Sequence, residues 1–255
     1  MRNERISMQG ARRIDMMVAP GWSALEKLLL AAISAATLFF AWATPPFQAP
    51  DENQHYMKAL LLSEGGVMTE QRGEAIGADL PRAGIDLHAV DFPTEATGAT
   101  QRYSRDMLAK SWAADKDRPG TTFAEFPNVA NYAPTLYAPG AAGLILGDWL
   151  GLPRLGAFYS GRIVNAAVGL LLLAGALSLL PFGRNAMLAT ALLPTFAYQT
   201  GSLSPDAVIN GFGFLGLALA LRLGFMGTPR PVGLFVTAPL LALCKGVYLP
   251  LIAAG

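Results

Sequence analysis

The sequence is poor in the residues that hold small secreted domains and metal-binding domains together. One cysteine, Cys244, occurs among 255 residues, so an internal disulfide cannot form, and no C-x-x-C pair or Cys/His metal spacing can be written. Charge is scarce as well, because Lys, Arg, Asp and Glu make up 15% of the chain, against about 25% in soluble domains. These shortages exclude a disulfide scaffold and a zinc finger, and they make an ordinary soluble domain a poor match.

Apolar residues are what the sequence has in excess. They make up 53% of the chain, whereas the net charge is only +1. The basic residues form no stripe, so no nucleic-acid partner is expected. Four arginines precede residue 14, residues 45–156 hold 14 acids and 9 bases, and residues 157–255 hold six charged residues. This distribution predicts a basic tail, one apolar segment, a long polar loop and then a membrane-embedded part.

The sequence predicts an all-α polytopic membrane protein with about five transmembrane helices. A cytoplasmic basic tail, 1–23, precedes the first span, 24–44, and a long, partly helical extracytoplasmic loop, 45–156, follows that span. The remaining spans are predicted at about 157–180, 185–202, 207–224 and 231–252. A cleavable signal peptide is the alternative for the first apolar segment, since Ala41-Trp42-Ala43 resembles a cleavage site. The long tail before that segment favours the span.

The segment 134–151 decides the topology. Its apolar core is short, with Pro134 and Pro139 before it and Asp148 behind, which favours an interfacial helix over a span. If it does not cross the bilayer, the basic tail, Arg184 and Arg230 all fall on the cytoplasmic side, as the positive-inside rule expects. If it does cross, Arg184 and Arg230 fall outside. We therefore predict a multi-pass protein of the bacterial inner membrane with a cytoplasmic N-terminus and an interfacial helix near 134–151.

With this topology, the charged residues near the membrane gather at the outer face. They are Asp51, Glu52, Arg162, Asp206 and Lys245. Charges at membrane depth are costly and usually mark a site or a pathway. A cluster at one leaflet boundary favours chemistry at that surface, whereas a transporter tends to hold its charges near the midplane.

Several ordered motifs resemble the bacterial membrane-protein family called domain of unknown function 2142. They are "PPFQAPDENQHY", "LLLSEGGVM", "NYAPTLYAPGAAGLILGDWLG", "AFYSGRIVNAAVGLLLLAGAL", "LLPTFAYQTGSLSPDAVINGF" and "CKGVYLPL". More distantly, the sequence resembles the GT-C glycosyltransferases, integral-membrane enzymes that use lipid-phosphate-linked sugars. Those folds have more spans than the five predicted here, so the resemblance implies a C-terminally truncated member.

The GT-C resemblance implies roles for individual residues. Asp51 and Glu52 match the catalytic acids after the first span, Asp206 matches a second acid in the next outer loop, and Tyr137 lies in a matching element at the membrane surface. The implied partners are a polyprenyl-phosphate-linked sugar, a glycan or lipid acceptor, and membrane lipid. Such a transfer needs a base for the acceptor hydroxyl and a cation for the departing phosphate. Asp51 is the first candidate base.

Other candidates have open alternatives. Arg162 and Lys245 are the candidate phosphate ligands, but Arg162 could simply reach lipid headgroups from a helix end. His55 follows Asp51 by one helical turn and could bind substrate, orient a carboxylate, or join Asp51 and Glu52 around a divalent cation. Asp51 could instead cap a helix. The competing functions are a transporter or flippase of lipid-linked saccharide and an inactive truncated homologue.

Overall fold

The computed structural model describes residues 21–87, 103–113 and 119–226. The longer helices are α1 (Ala24–Ala43), α2 (Glu52–Ser63), α5 (Ala138–Trp149), α6 (Arg154–Leu179) and α9 (Asp206–Met226). The shorter helices are α3 (Arg82–Asp86), α4 (Arg105–Ala113), α7 (Arg184–Ala191) and α8 (Pro194–Thr200). Three strands complete the described chain: β1 (Glu70–Arg72), β2 (Ala75–Pro81) and β3 (Thr121–Glu125). The mostly helical fold confirms the predicted fold class.

Three described helices are long and apolar enough to cross a bilayer: α1, α6 and α9. α1 begins with a capping box, in which the Ser23 hydroxyl accepts from the Glu26 amide and the Glu26 carboxylate accepts from the Ser23 amide. It ends just before Pro45-Pro46, where the missing amide hydrogens prevent another helical turn. The tail 1–20 and the predicted span 231–252, with Lys245, lie outside the described residues.

The segment 185–202, predicted as one continuous helix, is two short helices instead. α7 and α8 are separated at Leu192 and Leu193, because Pro194 removes an amide donor and pushes the residue before it out of the helical region; Leu193 has ψ 134°. The segment still passes from one end of α1 to the other. Arg184 Nη1 lies 3.9 Å from Glu26 Oε2, and the Tyr198 hydroxyl donates to the Gln48 carbonyl beyond the other end of α1, at 2.8 Å.

The polar loop after α1 contains a sheet that the sequence did not lead us to expect. Its strands are antiparallel in the order β1-β2-β3, with Gly77 opposite both Glu70 and Glu125. Gly77 is required here, because a Cβ at this position would lie 1.8 Å from the Ala124 carbonyl oxygen. Next to the sheet, α2 buries Tyr56 and Leu60 in one apolar core with Phe126 and Phe158.

α5 and α6 pack closely through small residues. A Cβ on Gly143 would lie 2.6 Å from Gly161 Cα, and one on Gly147 would lie 2.5 Å from Ala157 Cα. Such contacts let two helix backbones approach each other in a membrane protein. With 12 residues, α5 is about 18 Å long at about 1.5 Å per residue, well below the roughly 30 Å of a bilayer core. The described fold is therefore compatible with the prediction that this segment lies at the interface, and the bilayer position of α5 stays a prediction.

Replacing Gly143 with alanine is expected to destabilise the fold by about 1–3 kcal/mol, as overpacking does elsewhere. The new methyl group would meet the backbone of α6 rather than a movable side chain. Thermal unfolding of the purified protein in detergent measures the effect. Gly175→Ala in α6 is the matched control, since its Cβ meets nothing within 4 Å. Equal unfolding temperatures for the two variants would contradict the close packing described for α5.

Candidate functional site

A buried ion pair joins two of the residues that the sequence singled out. Arg162 of α6 and Glu52, the first residue of α2, are both 0% exposed. Arg162 Nε donates to Glu52 Oε1 at 2.8 Å, and Nη2 donates to Oε2 at 2.6 Å. This two-bond geometry is the strongest form of an Arg–carboxylate contact. The sequence placed both residues at one membrane face but did not predict that they pair.

Arg162 has no N–H group left for a ligand in this structure. Its remaining donors bind three carbonyls at the end of α1, those of Ala41, Thr44 and Pro45. A guanidinium has five N–H groups, and all five are used. Its face also lies 4.7 Å from the centre of the Phe158 ring. Arg162 thus caps the last turn of α1, and this conformation does not support its prediction as a phosphate ligand.

Glu52 is equally occupied. Besides Arg162, its carboxylate accepts from the Phe47 amide at 3.0 Å and from the Leu203 amide at 2.8 Å. Four hydrogen bonds and complete burial leave no oxygen facing solvent or substrate. Glu52 therefore ties the start of α2 to the loop before α9, and in this structure it positions the site rather than taking a proton.

Asp51, the residue before Glu52, is exposed at the surface, whereas Glu52 is buried. It precedes α2 with a left-handed backbone, φ 53°, and makes no side-chain cap to the helix, so the capping alternative is not what the structure has. Its exposed carboxylate accepts one hydrogen bond, from Asn128 Nδ2 at 3.3 Å. Left-handed φ is unusual outside glycine, and Asp and Asn tolerate it best. This turn lets the Glu52 carboxylate face inward and bind Arg162, while the Asp51 carboxylate stays at the surface.

His55 and Tyr137 lie beside Asp51. The Tyr137 hydroxyl is 2.9 Å from His55 Nδ1, and the Tyr132 ring lies 6.3 Å from the imidazole, centre to centre. Burial raises the pKa of Tyr137 above its usual value, and the nearby Tyr132, Asp206 and Asp51 raise it further. The phenol therefore keeps its proton at neutral pH. Leu203, three residues before Asp206, donates to Glu52, the neighbour of Asp51, so Asp51 and Asp206 lie at the same end of the molecule.

Asp206 is held at that place by the loop before α9. Asn165 of α6 donates from Nδ2 to the Ser202 and Ser204 carbonyls, at 3.0 and 2.7 Å. The Ser204 hydroxyl lies 3.3 Å from the Asp206 amide and accepts from it. The sequence indicated Asp206 as a candidate but not Asn165. A polar residue inside an apolar helix, as Asn165 is, could have indicated such a role.

The described structure therefore brings six of the seven candidate residues to one end of the molecule. They are Asp51, Glu52, His55, Tyr137, Arg162 and Asp206. Lys245 lies outside the described residues. The suggested grouping of Asp51, Glu52 and His55 around a divalent cation is not formed: within residues 21–87, 103–113 and 119–226, no three His, Cys, Asp or Glu side chains could hold a metal ion together. The reason is that Glu52 turns inward to Arg162.

One charged residue of this region gave no signal in the sequence. Lys58, two turns after Asp51 in α2, is 3% exposed and donates from Nζ to the Ala130 carbonyl at 3.1 Å. Burial lowers the pKa of its ammonium group. In the sequence, Lys58 is one of many charged residues in a polar loop, and only the folded chain buries it.

Comparison with known proteins agrees with the motif resemblance. A family model described as a predicted membrane protein, DUF2142, matches residues 35–254. No curated protein and no solved structure gives a match. The resemblance to GT-C glycosyltransferases therefore stays a prediction.

Proposed function

From the premise that the chain belongs to the DUF2142 family of predicted membrane proteins, we propose that it acts as a GT-C-like glycosyltransferase. The reaction is transfer of a sugar from a polyprenyl-phosphate carrier to a glycan or lipid of the cell envelope. One observation carries the proposal: the exposed Asp51 carboxylate lies beside the His55–Tyr137 pair, on the same side as Asp206, where α1, α6 and α9 meet the polar loop.

The distribution of charge at one end of the bundle supports the proposed orientation. Lys27, Arg184 and Arg222 lie at the end opposite Asp51; Arg222 contacts the Leu179 carbonyl at the end of α6, and Arg184 lies near Glu26 at the start of α1. Positively charged residues favour the cytoplasmic side. In the proposal this end and the N-terminus are cytoplasmic, and the Asp51 end faces outward from the bacterial inner membrane.

The proposed step is a displacement at the anomeric carbon of the sugar. The acceptor hydroxyl oxygen forms the new bond, its proton passes to the Asp51 carboxylate, and the bond from the anomeric carbon to the phosphate oxygen breaks. The electron pair of that bond leaves with polyprenyl phosphate. Asp206, His55 and Tyr137 orient the sugar and the acceptor. Lys245 remains the sequence-based proposal for a phosphate ligand.

A transfer assay separates this proposal from a flippase. The purified protein in lipid nanodiscs is incubated with radiolabelled polyprenyl-phosphate hexoses and a bacterial membrane-lipid and glycan extract as acceptor. We expect a labelled product and an equal amount of released polyprenyl phosphate. Binding or movement of the donor without cleavage of its sugar–phosphate bond, for every hexose and acceptor fraction tested, would contradict the transferase.

A further inference from the structure

Lys58 is a buried cation without a counter-charge among the described residues. Its side chain is 3% exposed, and its described interactions amount to the hydrogen bond to the Ala130 carbonyl. An ammonium group has three N–H donors, so two are left without an acceptor from the described chain. Burying a charge in this state is costly unless a partner of opposite sign joins it.

The contrast with Arg162 is direct. Both cations are buried, but Arg162 is matched by the Glu52 carboxylate and three carbonyls. In the described part of the chain, no carboxylate lies within salt-bridge distance of Lys58. Of these two buried cations, Lys58 therefore has N–H groups left for a ligand and Arg162 has none.

Lys58 lies on the polar side of α2, under residues 127–137, which we call the cover segment. Asn128 of this segment binds Asp51 and Gln54, Ala130 binds Lys58, and Tyr137 binds His55. The cover segment consists of two single-turn helices, Pro127–Val129 and Pro134–Leu136, with irregular chain between them. The cover segment therefore meets α2 through these polar contacts and through Val129 and Leu136, which share the apolar core with α2.

We propose that Lys58 binds the phosphate of a lipid-linked phosphate donor, with a phosphate oxygen replacing the Ala130 carbonyl on Nζ. This inference rests on the proposed function and adds to it the group that holds the donor. A lysine ammonium group is a compact point charge and a common phosphate ligand. A bound phosphate would supply the missing negative charge and accept the two unused N–H bonds.

The spacing along α2 suits a donor that extends from Lys58 toward Asp51. The two residues are seven positions apart, or about 10 Å along the axis at about 1.5 Å per residue. Asp51 precedes the first turn of α2, and Lys58 lies nearly two turns later, on the same side of the helix as His55. In the proposal, the sugar of a donor held on Lys58 extends along this side of α2 toward the Asp51 carboxylate.

Binding of farnesyl phosphate, a short polyprenyl phosphate, tests the inference without any transfer reaction. The full chain in detergent is titrated with farnesyl phosphate and, separately, with inorganic phosphate. We expect Lys58→Met to weaken farnesyl phosphate binding at least tenfold. Lys58→Gln, which keeps an N–H for the Ala130 carbonyl but has no charge, should lose as much. Lys110→Met, an exposed lysine of α4, is the matched control and should bind like the wild type.

The outcomes separate this inference from the proposed function. Lys58→Met removes a buried charge that lacks a partner, so it should unfold at the wild-type temperature or above, and Lys58→Gln provides a second folded variant. If both variants bind farnesyl phosphate as tightly as the wild type, Lys58 is not the ligand, while the transferase stands. If the wild type does not bind farnesyl phosphate, both proposals fail. A loss confined to inorganic phosphate would overturn the lipid-linked donor as the source.

Discussion

Replacing Arg162 with methionine is expected to lower the free energy of unfolding by about 3–5 kcal/mol, the usual effect of breaking a buried ion pair by removing one partner. The substitution leaves Glu52 fully buried with its charge unbalanced, and it removes the donors for three carbonyls at the end of α1. Arg162→Lys should be nearly as harmful, because a lysine cannot supply five N–H groups in the same plane. Chemical unfolding in detergent micelles measures the loss.

The control is a second Arg–carboxylate pair, whose arginine lies in the same helix as Arg162. Arg154 lies 3.1 Å from Asp148, but these side chains are 21% and 39% exposed. Solvent-exposed pairs contribute about 0–1 kcal/mol, so Arg154→Met should have a small effect. The double variant Glu52→Gln, Arg162→Met should be less destabilised than the sum of its single variants, because neither charge is then left alone. Additive losses would show that the two residues stabilise the fold independently of each other.

Asp51→Asn is expected to reduce the rate of sugar transfer by about 10²–10⁴-fold, the usual contribution of a general base. Asparagine has the same shape and also tolerates the left-handed backbone at this position, φ 53°. The variant should therefore fold normally and bind the donor as before. The measurement is kcat in the nanodisc transfer assay, with farnesyl phosphate affinity as the check on binding.

Glu64→Gln is the matched control for the rate. Glu64 follows the last residue of α2 and is exposed, as Asp51 is at the start of the same helix, so it tests whether any loss of negative charge there slows transfer. We expect it to keep the wild-type rate. If Asp51→Asn also keeps that rate while Asp206→Asn abolishes transfer, Asp206 is the base and the assignment made here is wrong.

The parts of the fold that depend on hydropathy could be predicted from the sequence. The apolar runs predicted the helices that became α1, α6 and α9, because burial of a helix in lipid requires an uncharged stretch of known length. The break at Leu193 was not predicted, although Pro194 indicates one, because a hydropathy average does not depend on the backbone N–H that proline lacks. The short strands of the polar loop were missed because β1 has only three residues, all exposed.

The sequence predicted that the candidate residues lie near one another, but not which of them are in contact. The common location of Asp51, Glu52 and Asp206 followed from the order of the spans and the distribution of charge. Which of two adjacent acids turns inward depends on a partner 110 residues away along the chain, and no local pattern encodes that contact. The burial of Lys58 depends in the same way on the chain around Ala130, which covers it only after folding.

The buried carboxylate of Glu52 also sets an order of assembly. Its partners are Phe47, Arg162 and Leu203. During synthesis Phe47 is added to the chain before Glu52, and Leu203 is added about 150 residues after it. Until residue 162 has left the ribosome, α2 cannot enter its final place without burying an unbalanced charge, and until residue 203 has left it, one hydrogen bond to the buried carboxylate is missing. Contacts of such long sequence separation form late. The end of the molecule that holds Asp51 therefore closes last, because Glu52 needs both Arg162 and Leu203 to complete its contacts.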